Sequence, residues 1–222
     1  MRHSILATDY DGTLAHHGVT DEATIAALGR FRANGGRVIL VTGRELPDLR
    51  RIFTRFDLFD RIVAENGGLL YHPETGGART LGPPSDLRLV NRLRARGVAP
   101  LSVGRTIIAM FEPHEREALE AIKDLGLELQ IVFNKGAVMV LPTGVNKATG
   151  LHAALDDMGA SATQVAGVGD AENDHAFLEM CGLSVAVQNA IPALREHVHM
   201  VTRGAHGFGV QELIAHLALE EE

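Results

Sequence analysis

The stretch Ile5-Leu6-Ala7-Thr8-Asp9-Tyr10-Asp11-Gly12-Thr13-Leu14 decides how this chain is read. Its first residues form a short apolar run of the kind found in buried strands. The run ends in two carboxylates separated by one residue. On an extended backbone, side chains two apart point the same way. Asp9 and Asp11 would therefore share one small volume at the strand's carboxyl end, where Gly12 turns the chain away. Two like charges that close are unfavourable unless a cation or a proton accompanies them. The stretch thus asks for a divalent metal and for one carboxyl able to carry a proton. An Asp-x-Asp is also common in surface turns, and the rest of the chain decides between the two.

Outward from this stretch, strands alternate with helices. Thr20 is placed to cap a helix carrying Ile25, Leu28 and Phe31 at helical spacing, ended by Asn34-Gly35-Gly36. A second apolar run, Arg37 to Val41, leads into Thr42-Gly43-Arg44, and Pro47 suits the first turn of the next helix. A third run, Arg61 to Ala64, precedes Glu65-Asn66-Gly67-Gly68. This order predicts an α/β fold: a doubly wound, Rossmann-like parallel sheet with helices on both faces.

The pattern changes at Gly82-Pro83-Pro84. A helix from about Ser85 to Arg96, short strands between Leu101 and Phe111, a helix after Pro113, and a hairpin turning at Asn134-Lys135 predict a small antiparallel sheet covered by helices on one face. We read residues 83–142 as an inserted α+β domain, with 1–82 and 143–222 forming the core. The alternation then resumes: a helix from about Asn146 to Met158, a strand ending at Gly169-Asp170, a helix from Glu172 to Met180, and a strand from Leu183 to Val187. A short helix from Ala190 to His197, a strand near Met200 and a last helix from about Val210 to Ala218 complete it.

Composition narrows the function. The 222 residues are 45% hydrophobic, enough to bury a sizeable core. A formal net charge of -7 argues against nucleic acid or an anionic membrane as the main partner. One cysteine, Cys181, excludes an internal disulfide and fits a reducing compartment. No basic segment followed by a long apolar run opens the chain, and no run is long enough to span a bilayer, so we expect a cytoplasmic protein.

Four polar clusters fall at strand ends or helix starts, where ligand sites of open α/β sheets lie. They are Asp9 with Asp11; Thr42 with Gly43, a hydroxyl and small-residue amides suited to a phosphate; Lys147, just inside a helix; and Gly169-Asp170-Ala171-Glu172-Asn173-Asp174. Together they offer carboxylates for Mg²⁺, donors for a phosphoryl group and a carboxylate nucleophile.

In this order, Asp9-x-Asp11-Gly12-Thr13, Thr42-Gly43-Arg44, Lys147 and Gly169-Asp170-x-x-Asn173-Asp174 resemble the haloacid dehalogenase superfamily of phosphohydrolases. The insert resembles the small type-IIB cap of its Cof-like branch, which Glu65-Asn66-Gly67-Gly68 and Gly144-Val145-Asn146-Lys147 also fit. The resemblance implies that Asp9 is the nucleophile, forming an aspartyl-phosphate. It implies that Asp11 protonates the leaving oxygen and then deprotonates water. Thr42, Gly43, Lys147 and Asn173 would hold the phosphoryl group, with Arg44 a further substrate contact. Mg²⁺ would be held by Asp9, the backbone carbonyl of Asp11, Asp170 and, directly or through water, Asp174.

Other features carry less. Eleven histidines invite a metal site, but no His-Glu-x-x-His occurs, and His16-His17 and His197-x-His199 fit surface or packing roles. Gly167-Val168-Gly169 lacks the third glycine of a dinucleotide fingerprint, and there is no P-loop. Arg88, Arg92 and Arg96 recur every fourth residue, the usual mark of a solvated stripe. Arg105 and Lys135 are candidate substrate contacts from the insert, though each also fits an exposed turn. The expectation is a Mg²⁺-dependent phosphatase of a small phosphorylated metabolite, of the phosphoglycolate or sugar phosphate class used by relatives with such caps. The alternatives are a phosphotransferase or sugar phosphomutase on the same scaffold, and a non-enzymatic phospho-acceptor module. The insert and the second carboxylate, Asp11, count against the last. The oligomeric state is left open.

Overall fold

In the computed structural model, which describes residues 3–219, the chain forms two sheets. The first half supplies β1 (Ile5–Thr8), α1 (Glu22–Ala33), β2 (Arg37–Val41), α2 (Leu46–Ile52), β3 (Arg61–Ala64), β4 (Leu69–Tyr71) and β5 (Ala78–Thr80). Next come α3 (Leu87–Ala95), β6 (Ser102–Val103), β7 (Ile108–Phe111), α4 (Glu115–Asp124), β8 (Leu129–Asn134) and β9 (Ala137–Pro142). The chain closes with α5 (Lys147–Asp157), β10 (Val165–Gly169), α6 (His175–Met180), β11 (Leu183–Ala186), α7 (Pro192–Arg195), β12 (Met200–Val201) and α8 (His206–Leu219).

The larger sheet has eight strands in the order β12-β11-β10-β1-β2-β3-β4-β5. Pairing is parallel from β12 through β3, as the alternation predicts, and antiparallel at β4 and β5. The parallel strands are buried on both faces, so they read as continuous apolar runs. Their alternate residues feed two layers. Leu6, Val38, Leu40 and Ile62 pack with Leu28 and Phe31 of α1 and Leu213 of α8. Ile5, Ala7, Ile39 and Val63 pack with Leu151 of α5 and Phe177 of α6. β1 lies between β10 and β2, which brings the chain's two distant acidic segments to neighbouring strand ends.

The smaller sheet is antiparallel, in the order β6-β7-β9-β8. One face buries Ile108, Met110, Val138 and Val140 against Leu89, Val90 and Leu93 of α3 and Ala118, Ala121 and Ile122 of α4. The alternate residues Ile107, Ala109 and Met139 face a cavity over the carboxyl ends of the parallel strands. The arginine stripe is structural: Arg92 and Arg96 reach Asp124 of α4, and Arg88 folds back on Asp86. A buried carboxylate joins the two sheets' loops. Glu65 Oε2 accepts from the backbone N–H of Thr106 at 2.7 Å and from its hydroxyl at 3.1 Å.

Several local expectations are corrected. Asp21, not Thr20, caps α1, accepting from the Thr24 N–H at 2.9 Å. Asp21→Ala should therefore lower unfolding free energy by about 1 kcal/mol, read as a lower urea midpoint at unchanged slope. The hairpin turns one residue later than expected, at Lys135-Gly136 (φ 45° and 85°), the positive-φ pair of a two-residue hairpin turn. Glu172–Asp174 is a 3₁₀ turn, and the α-helix starts only at His175. The last helix begins at His206, because Gly207 and Gly209 are close-approach positions and not a loop. A Cβ on Gly207 would stand 2.3 Å from Thr24 Oγ1. The sole cysteine, Cys181, is buried on α6's end, and burial pushes its thiol up to about 12. Among the described residues, no helix is long and apolar enough to cross a membrane.

Candidate active site

Asp9 follows β1 directly and is nearly buried. Its Oδ1 accepts from Lys147 Nζ at 2.6 Å, and the same ammonium donates to Asp174 Oδ1 at 2.5 Å. Lys147 opens α5, a poor place for a cation in the helix field, so the two carboxylates must hold it there. The helix start is fixed by a reciprocal cap between Asn146 and Thr149. Lys147 is only 1% exposed, so its charge is compensated by these partners rather than by water.

The segment after β10 supplies the other carboxylates. Asp174 Oδ2 accepts from the N–H groups of Asp170 and Ala171 at 2.8 and 3.0 Å, so both its oxygens have donors. Asp170 Oδ1 accepts from Thr13 Oγ1 at 2.8 Å, and its Oδ2 meets the Lys135 ammonium from the smaller sheet's hairpin. Asp9, Asp170 and Asp174 each place one oxygen within 4.8 Å of the others, and all three are buried. Such a set of hard oxygen donors suits Mg²⁺. Gly12, at φ +85°, makes room for it: a Cβ there would lie 2.2 Å from Asp170 Oδ2.

Asp9, Asp170 and Lys147 each hold a proton more tightly than usual in this cluster. Burial, then the Asp174 and Asp170 charges, push Asp9 well above the ordinary carboxylate range against the pull of Lys147. Asp170 is raised by burial and by Asp174, with Lys135 opposing. For Lys147 burial acts downward, but Asp174 and Asp9 outweigh it and raise the ammonium.

Asp11 sits apart from this cluster. Its two oxygens accept from Arg44 Nε at 2.6 Å and Nη2 at 2.8 Å, and Arg44 Nη1 turns to Asp48. The expected substrate contact Arg44 thus spends its fork on two carboxylates. Thr42 is fully buried, its Oγ1 accepting from the Arg44 N–H at 3.1 Å. Gly43 lines the cavity, and Asn173 donates from Nδ2 to Asn66 Oδ1 at 2.9 Å. Asp9, Asp11, Gly43 and Arg44 border a cavity of about 810 Å³ together with Ser102, Lys135 and Met139 of the smaller unit. Arg105 is exposed and outside its wall. His16, for which a surface or packing role is expected, is exposed and stacks on His206 at 4.3 Å between ring centroids, and both line the rim. Thr13, Asn66, Thr106 and His206 carry no role in the sequence reading. For Asn66 a signal existed in the two glycines after it, which mark a tight turn at a strand end.

The profile of the haloacid dehalogenase-like hydrolases matches residues 6–79 and 107–214. The phosphoglycolate phosphatase of Methanothermobacter thermautotrophicus is 33% identical over 220 residues, covering 94% of this chain and 96% of that one. Among solved structures, a haloacid dehalogenase-like hydrolase from Bacteroides thetaiotaomicron superposes with a TM-score of 0.81 at 16% identity, covering 97% of this chain and 99% of its own. A subclass IIB sugar phosphatase gives 0.78 at 18% identity, covering 97% and 99%.

Proposed function

The chain belongs to the haloacid dehalogenase-like hydrolases and is a phosphoric monoester hydrolase, and from that premise we propose a Mg²⁺-dependent phosphatase of small phosphorylated metabolites, phosphoglycolate first among them. The observation that carries this reading is Asp9 itself: a buried carboxylate, steered by Lys147, at the floor of a cavity. In the proposed reaction an Asp9 oxygen bonds to phosphorus while the bond from phosphorus to the ester oxygen breaks. Asp11 gives its proton to that leaving oxygen. Asp11 then takes a proton from the water that attacks the aspartyl-phosphate, which frees Asp9 and releases orthophosphate. Each transfer requires one Arg44–Asp11 hydrogen bond to open, so Arg44 acts by aiming Asp11.

Thr42, Gly43, Lys147 and Asn173 would hold the phosphoryl oxygens. Asp9, Asp170, the carbonyl of Asp11 and Asp174 would hold Mg²⁺, which when bound offsets the repulsion between an anionic nucleophile and an anionic substrate. Residues 83–142 serve as a cap that excludes water and selects the leaving group, with Ser102 and Lys135 reaching the cavity.

The test is orthophosphate release from a panel of phosphorylated metabolites, with Mg²⁺ and with EDTA. Release that requires Mg²⁺, with phosphoglycolate among the best substrates, is expected, and no release from any member overturns the reading. The same metal should raise Tm, and by more at higher pH. Asp9 and Asp170 have raised values in the fold, so their contribution is full below the ordinary 3.8 and is lost as pH rises toward the folded values. A bound cation restores what is lost.

A further inference from the structure

Between the end of β3 and β4, the chain makes a buried turn, Glu65–Gly67, with three consecutive positive φ angles of 52°, 53° and 104°. Two of these residues are not glycine, and left-handed backbone at such positions is costly unless its surroundings require it. The surroundings here are the expected phosphoryl-binding groups. The Asn66 N–H donates to the Thr42 carbonyl at 3.0 Å, and the Glu65 N–H to the Arg44 carbonyl at 2.9 Å. Asn66 Oδ1 accepts from Asn173 Nδ2 at 2.9 Å. Gly67 lies so close to the start of the Lys147 helix that a Cβ there would stand 1.9 Å from the Asn146 carbonyl.

The amide pair is incompletely satisfied. Asn66 Nδ2 and Asn173 Oδ1 are buried and have no partner among the described residues. Two facing amides could pair twice, but these two meet only once. Reversing both amides leaves one donor and one acceptor unpaired as before. Asn173 Nδ2 has a second hydrogen, and it lies 3.9 Å from where a Cβ on Gly43, in the cavity wall, would stand.

We propose that Asn66 is a positioning residue for phosphoryl binding: it fixes Asn173 through its side chain and the Thr42 loop through its backbone. This rests on the phosphatase reading. Asn66→Gly isolates the side chain, because glycine adopts the left-handed turn without strain. Its Tm should match wild type, while kcat/KM for the best substrate falls about tenfold and the inhibition constant for orthophosphate rises. Since Asn66 acts through Asn173, Asn66→Gly combined with Asn173→Ala should be no worse than Asn173→Ala alone. A purely structural turn residue would leave both constants unchanged. If the variant melts early, wild type suffices: the side-chain amide resonances of Asn66 and Asn173 should shift together when orthophosphate binds. Active wild type with unchanged Asn66→Gly kinetics, or with unmoved amides, overturns the role of Asn66 alone. Wild type with neither turnover nor any response to orthophosphate overturns the phosphatase reading and this role with it.

Discussion

Asp9→Asn is expected to lose turnover by roughly 10³-fold or more while keeping the fold. The amide matches the carboxylate in shape and can still accept a hydrogen bond from Lys147 at Oδ1. It is a far weaker nucleophile toward phosphorus and a weaker ligand for a divalent cation. Stability should fall little, because the substitution also removes one of three buried like charges within 4.8 Å of one another. Lys147 keeps Asp174 as its partner. The measurement is single-turnover phosphate release beside a thermal melt. Activity within a few-fold of wild type would remove Asp9 as the nucleophile.

Lys147→Met should damage both stability and rate. The ammonium is fully buried and is the shared partner of Asp9 and Asp174, so its removal strands two carboxylates. Breaking such a pair costs about 3–5 kcal/mol, which for a chain of this size is a fall of roughly 6–20 °C in Tm. The pH dependence identifies the cause. Lys147 has a raised value in the fold, so its contribution is complete below the ordinary 10.5 and fades only as pH climbs beyond it. The variant lacks that alkaline loss. Its deficit should instead shrink in acid, where Asp9, raised by burial and no longer lowered by Lys147, takes up a proton. A Tm deficit that stays constant from pH 5 to pH 9 would contradict this assignment.

The parts of this fold that were legible in the sequence share one property: the signal is local. β1, β2 and β3 are unbroken apolar runs because both faces are covered. β4 and β5 escaped notice because they are three residues each and Ala78–Thr80 is exposed, with no alternation to read. The start of α8 was hidden by glycines that serve helix packing. The site divides the same way. Asp9, Asp170 and Asp174 declare themselves as carboxylates just past apolar strands. Their pairings do not, since Lys147 and Asp9 are 138 positions apart and meet only through strand order. The Arg44–Asp48 contact is a local helical spacing, whereas Arg44–Asp11 depends on β1 and β2 being neighbours. Lys135 fits an exposed turn by sequence and reaches Asp170 only because the smaller sheet faces the larger one.

The burial of Cys181 has a practical side. A thiol held as high as about 12 and screened from solvent will not react with maleimides at neutral pH. As the sole cysteine it leaves an otherwise blank background for thiol-directed labelling. A pair of cysteines introduced on the outer surfaces of α3 and α1 could then carry a donor and an acceptor fluorophore while the native Cys181 stays in place. The separation of the two sheets could then be followed by energy transfer during turnover with the core around Cys181 intact.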